Sequence, residues 1–256
     1  MNILSQWIRS YVPGLTLADR DLAEALTLRG IAVEGIFDLG PGHGSLFEMD
    51  ITTNRVDAMN HYGIAREAAA IAGHELAALD VTLPAPQSLT VPIQVSIEAP
   101  ELCGRFTARA LTHVRIQPSQ GVVAERFGLL QQKLISNAVD ATNYVTIAMG
   151  QPTHVFDRDK LEGGIILRRA RSGEKLRTLD GIERVLDSED LVVADEKKAL
   201  ALAGVMGGWD TMITAVTTTG SNSRISLQVL LVGLIVALMC AEDKRPVSEL
   251  ALLPTN

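Results

Sequence analysis

His154 stands three residues before Asp157 and five before Asp159, near the end of a stretch from Asn137 to Lys160 that reads NAVDATNYVTIAMGQPTHVFDRDK. An imidazole with carboxylates close behind has the makings of a general base oriented by an acid, as hydrolytic sites require. The same His-x-x-Asp spacing also suits a structural histidine that hydrogen-bonds beside a turn. Asn143 adds an amide that both donates and accepts, which fits an ester carbonyl or a ribose hydroxyl. Further on, Gly204, Gly207 and Gly208 in ALAGVMGG follow an apolar run. Missing side chains there let a ligand approach the backbone or form a tight barrel corner, and both readings stand. Arg168, Arg169 and Arg171, with Arg105, Arg109, Arg115 and Lys133, could line a strip for RNA phosphates. Charged residues in strands are more often a solvated face. The chain has no HExxH, no paired cysteine ligands and no GxSxG, so a metalloprotease, a zinc module or an ordinary serine hydrolase is unsupported.

The elements that must position these groups are legible in the spacing. Apolar residues at helical intervals predict a helix opening near Asn137 or Asp140 and closing at Gly150, which can take the left-handed cap conformation. Pro152 cannot continue that helix, so Thr153 and His154 leave it in an extended direction. Upstream, Leu4, Trp7, Ile8 and Val12 form a short helix face. Thr16 with Asp19 resembles a capping box before a helix that ends at Gly30. Ile31 to Phe37 and Leu46 to Thr52 read as strands joined by GPGHG, which lacks the Lys-Ser/Thr of a phosphate loop and is read as a hairpin connection. A helix is expected from about Val122 to Leu134. From Gly164 onward short strands alternate with turns, and KLRTLDGIERVL is a hairpin turning at Asp180-Gly181.

The prolines at 84 and 86 make residues 83 to 90 the expected domain boundary. The fold class is therefore α+β: a small N-terminal α/β domain over 1–83, then a larger mixed α+β domain over 91–216 rich in short strands. The 256 residues, 47% hydrophobic and 21% charged, have a globular balance, and the net charge of -7 argues against nonspecific coating of nucleic acid. Two cysteines, Cys103 and Cys240, make neither a disulfide framework nor a CxxC site. No secretory pattern opens the chain, and a reducing cytoplasm is the expected compartment. A divergent tail over 217–256 carries ISLQVLLVGLIVALMC at 225–240, too short for the roughly 20 apolar residues of a span. A buried helix, a strand pair and a membrane segment stay open for it.

VDATNYVTIAMGQPTHVFDRDKLEGG closely resembles the editing domain of the bacterial phenylalanyl-tRNA synthetase beta subunit, and the likeness continues through GEKLRTLDG, LVVAD and ALAGVMGG. LTLRGIAVEG and ITTNRVDAMNHYGIAREAAAIAG resemble that subunit's N-terminal domain, with Val56 where the family usually has proline. The resemblance implies hydrolysis of a mischarged tyrosyl ester on phenylalanine tRNA, with His154 and Asn143 orienting the ester or the attacking water. It makes Lys133 and Gly207 pocket residues, with Thr153 and Gly204 beside them. It implies tRNA(Phe) and an alpha subunit as partners. No cofactor or metal is expected on this chain, because ATP and magnesium would serve only the alpha subunit. Two departures qualify the likeness: GPGHG replaces the family's inserted oligonucleotide-binding domain, and the family's tyrosine-selecting glutamate would fall at about Asn222 or Ser223. Losing that partner costs about 1 to 3 kcal/mol of discrimination. The rival expectation is a noncatalytic remnant or adaptor that binds tRNA or an alpha subunit.

Overall fold

The computed structural model describes residues 1–79, 93–112, 114–214, 217 and 224–229. The boundary expected at 83–90 and the apolar run beyond Val229 lie outside the described residues.

One compact unit takes in Met1–Pro86 and Gln117–Pro152. Its sheet has strands β1 (Asn2–Leu4), β2 (Ala32–Asp38) and β3 (Ser45–Asp50) in the antiparallel order β1-β3-β2. GPGHG is the hairpin connection that its composition predicts: Leu39 N–H donates to the Gly44 carbonyl at 2.9 Å, and Gly40, Gly42 and Gly44 hold φ of +86°, +85° and +68°. Helices α1 (Ser5–Tyr11), α2 (Asp19–Thr27) and α3 (His61–Ala72) bury Ile8, Leu22, Leu26 and Ile64 with Phe47 and Met49 of β3. Each such side chain stabilises the unit by about 1.5–3 kcal/mol. The expected capping box does not form. Ala18 occupies the cap, and the Asp19 carboxylate instead accepts from Arg9 at 2.6 Å and from the Ser5 hydroxyl at 2.8 Å. A charge-assisted bond outweighs a neutral cap.

Helix α4 (Gly121–Leu129) ends before the expected Leu134, because Gln131 turns to φ 55° and the Gln132 N–H bonds back to the Phe127 carbonyl. Helix α5 (Asn137–Met149) follows the predicted course. Ser136 caps it, and Gly150 closes it at φ 72°. Buried Asp140 fixes its start by accepting from the Ser119 hydroxyl at 2.6 Å and the Ile135 N–H at 2.9 Å.

His61 joins three segments of this unit. Its Nε2 accepts from the Leu4 N–H at 3.0 Å, which leaves Nδ1 to donate to the Ile147 carbonyl at 3.1 Å. Trp7 stacks on the ring at 4.0 Å. Burial pushes the His61 pKa down to about 4. Above pH 6.5 the ring is neutral whether the chain is folded or unfolded, whereas between 6.5 and 4 only the unfolded chain takes up the proton, so stability falls as pH drops. The loss from this ring reaches about 3 kcal/mol near pH 4 and levels off below it. Urea titrations at several pH values should show that component absent from His61→Gln, whose amide can make both hydrogen bonds. An unchanged pH profile in the variant would refute the assignment.

The other unit takes in Gln87–Ile116 and Thr153–Asn256. Strands β4 (Val95–Ile97), β7 (Ile165–Arg169), β10 (Leu191–Ala194), β11 (Ala199–Leu202) and β12 (Met206–Gly207) form a sheet in the order β12-β11-β10-β7-β4. Only the β4–β7 pair in that sheet is parallel. Strands β8 (Lys175–Arg177) and β9 (Glu183–Val185) make the predicted hairpin, with Gly181 at φ +81°. A three-stranded sheet contains β5 (Thr107–Thr112), β6 (Thr153–Asp157) and β13 (Arg224–Val229) in the order β5-β13-β6. The first residues of the apolar tail are therefore a strand antiparallel to both neighbours. Among the described residues no helix is long and apolar enough to cross a membrane. Among the described residues the α-helices all fall in one unit, with a three-stranded sheet of its own, and the other unit is built of short strands, which gives the α+β class that the sequence predicts.

The arginine strip is corrected in part. Arg168 is neither solvated nor available to phosphates: it is 7% exposed and forms a two-pronged ion pair with Glu174 at 2.7 and 2.8 Å. Arg169 pairs with Glu101 and Glu189, each at 3.2 Å.

Candidate functional site

His154 is the second residue of β6, delivered there by the Gly150 cap and the Pro152 break. The residue as a whole is half-buried, but its Nε2 is sealed from solvent and makes no hydrogen bond. The edge of Phe156 meets the ring at 4.6 Å. Gly207 of β12 lies against the imidazole, Nε2 included, so closely that a Cβ there would stand 2.2 Å from His154 Cε1 and 2.6 Å from Nε2. The glycine is held in place from two sides. It pairs with Ala201 of β11, and its carbonyl accepts from the Leu179 N–H of the β8–β9 hairpin at 3.0 Å. Gly208 faces the opposite way, where a Cβ would meet the Leu200 carbonyl and Leu176. Gly207 thus makes a close approach, and the partner it admits is His154. Gly204 stands exposed in the turn between β11 and β12 at φ +72°.

Asp157 does not orient His154. Its carboxylate accepts from the Thr217 hydroxyl at 2.9 Å and the Asp159 N–H at 3.2 Å, and Lys160 stands 3.5 Å away. Desolvation by burial pushes the His154 pKa down to about 4. At neutral pH the ring is therefore uncharged and weakly basic. Its chemistry is to give or accept one hydrogen bond at an otherwise dry position, which suits orienting a water, a hydroxyl or an ester oxygen better than taking a proton outright. Leaving a buried ring nitrogen unpaired costs about 1–3 kcal/mol, a cost that a bound polar group would remove.

Thr153 opens β6, half-buried, opposite Val229 of β13 in the backbone register, and the same register sets Gln228 opposite His154. Asn143 and Lys133 belong to the first unit, where Asn143 is exposed on α5 and Lys133 is exposed before it. Asn222 and Ser223 lie outside the described residues. Among the described residues no group of three or more His, Cys, Asp and Glu side chains could hold a metal ion. Sequence reasoning singles out neither Arg177 nor Trp209, whose side chains stack with the guanidinium 4.4 Å from the ring centre. An arginine and a tryptophan so far apart in sequence carry no local signal.

A family model for the B3/4 domain matches residues 102–220. The phenylalanine–tRNA ligase beta subunit of Carboxydothermus hydrogenoformans is 44% identical over 175 residues, which cover 68% of this chain and 22% of that protein. The beta subunit of Anaeromyxobacter dehalogenans is 46% identical over 180 residues, covering 68% of this chain and 22% of the relative. That of Geobacter metallireducens is 38% identical over 218 residues, covering 80% and 27%. The chain thus spans about a fifth to a quarter of the length of these relatives. An N-terminal fragment of the phenylalanyl-tRNA synthetase beta subunit from Pyrococcus horikoshii aligns over 93% of this chain and 73% of the fragment, at 13% identity and a TM-score of 0.44.

Proposed function

We propose that the chain binds tRNA(Phe) and hydrolyses mischarged tyrosyl-tRNA(Phe) at His154, a reading that rests on its likeness to the phenylalanine–tRNA ligase beta subunits over the stretch it shares with them. The observation that carries the reading is the imidazole itself: a buried Nε2 without a partner, flanked by a residue with no side chain. A water or ester oxygen placed there completes the missing hydrogen bond. The neutral ring then orients the reacting group, and the roles of Asn143 and Lys133 toward the ester and its phosphates rest on the family resemblance alone. Thr153, Gly204 and Gly207 shape the surroundings of the aminoacyl group. The reaction takes place in the cytoplasm, and an alpha subunit supplies the ATP- and magnesium-dependent synthesis.

Deacylation of tyrosyl-tRNA(Phe) by the purified chain tests this. Release above the spontaneous rate is expected for the wild type, falling roughly 10²-fold in His154→Ala. Wild-type release no faster than the spontaneous rate would refute hydrolysis. The low basicity of His154 favours a second reading, binding without turnover, and that result would leave tRNA or alpha-subunit binding as the role of the chain.

A further inference from the structure

Beside the His154 contact lies a group that the reaction does not use. The β8–β9 hairpin carries three cations, and two of them are neutralised: Lys175 by Glu183 at 2.7 Å and Arg184 by Asp180 at 2.8 Å. Among the described residues Arg177 has no carboxylate partner. Its guanidinium lies 4.4 Å from the ring centre of Trp209, with Nη2 near the Gly181 turn. The pair is locked at the backbone, because the Trp209 N–H donates to the Arg177 carbonyl at 2.8 Å and Thr178 bridges to Gly208.

The alternation of the strands places this pair. Gly207 faces His154, Gly208 faces buried Leu176, and the next position, Trp209, returns to the side of Gly207. On the partner strand Leu176 points into the core and exposed Arg177 points the other way. Two residues of extended chain put the cation and its indole about 7 Å along the strand from the His154 contact. That is about the distance between a terminal ribose and its own phosphate. An indole that holds a guanidinium flat pre-organises it for two-pronged contact with a phosphate.

We propose that Arg177, positioned by Trp209, binds the 3′-terminal phosphodiester of an RNA whose terminal ribose ester sits at His154. This rests on the reading of His154 as the ester site, and the test separates the two. The full-length chain is titrated with a fluorescent acceptor-stem minihelix ending in unacylated CCA, at several salt concentrations. Arg177→Ala should weaken binding about tenfold and reduce the steepness of the log-affinity against log-salt plot by about 0.7. Arg177→Lys should keep the salt slope but lose affinity, and Trp209→Ala should weaken binding with the slope kept. Melting temperatures of the variants serve as the fold control. No binding by the wild type, or equal affinity and slope in Arg177→Ala, would overturn the proposal. Arg177-dependent binding by a chain that releases no tyrosine would refute hydrolysis and leave the phosphate site standing.

Discussion

Replacing Gly207 by alanine should reduce tyrosyl-tRNA(Phe) hydrolysis about 10²-fold, as much as removing the imidazole, while the chain still folds. The added methyl would overlap Cε1 at 2.2 Å and Nε2 at 2.6 Å, distances that no real contact shows. Neither side can yield freely. Phe156 bounds the ring, and Gly207 is pinned by Ala201 on one strand and Leu179 on the hairpin. The ring must therefore leave its place, and Nε2 with it. Overpacking of this kind destabilises by about 1–3 kcal/mol, which a chain with two substantial cores can absorb. Single-turnover deacylation with a parallel thermal melt checks the expectation. Full activity in a folded Gly207→Ala would show that His154 need not sit where the structure puts it.

The largest stability effect is expected at Glu174. Its carboxylate takes both prongs of Arg168 and also the N–H groups of Arg171 at 2.9 Å and Ala199 at 3.2 Å. Both side chains are nearly buried, at 9% and 12% exposure. Glu174→Gln leaves Arg168 charged, buried and unmatched, and should cost about 3–5 kcal/mol in urea unfolding. The double variant Glu174→Gln with Arg168→Met should recover much of that loss, because no charge is then stranded. The Arg168 guanidinium holds the Glu174 pKa down to about 2, so this contribution is complete above pH 4.5 and disappears as pH falls from there toward 2. A single variant that loses less than about 1 kcal/mol would contradict the pair's role.

Much of the scaffold is legible wherever the determinant is local. Gly150 followed by Pro152 marks the end of α5 because helix stops are written within a few residues, and Asp180-Gly181 marks the hairpin for the same reason. His154 is legible as a candidate, yet its surroundings are not. The carboxylate three residues away looks like its natural partner, but Asp157 is consumed by Thr217, and the actual neighbour is Gly207 from the other end of the unit. Asp19 likewise leaves its expected box because Arg9 offers a stronger partner. Arg168 looks like a surface residue until a turn brings Glu174 against it. In each case a long-range or charge-assisted contact overrides a local preference. The resemblance to synthetase beta subunits supplied the functional reading of His154, which spacing alone left open between chemistry and structure.

The position of β13 bears on how the chain acquires its site as it is made. Strands β5 and β6 are synthesised long before Arg224–Val229, yet neither pairs with the other; both pair with that late segment. A nascent chain folds from its N-terminus, so β6 exposes an unpaired edge beside His154 until translation passes Val229. The histidine strand is thus completed by one of the last parts of the described fold to be translated, and a message stopped before codon 224 would leave His154 on an open edge.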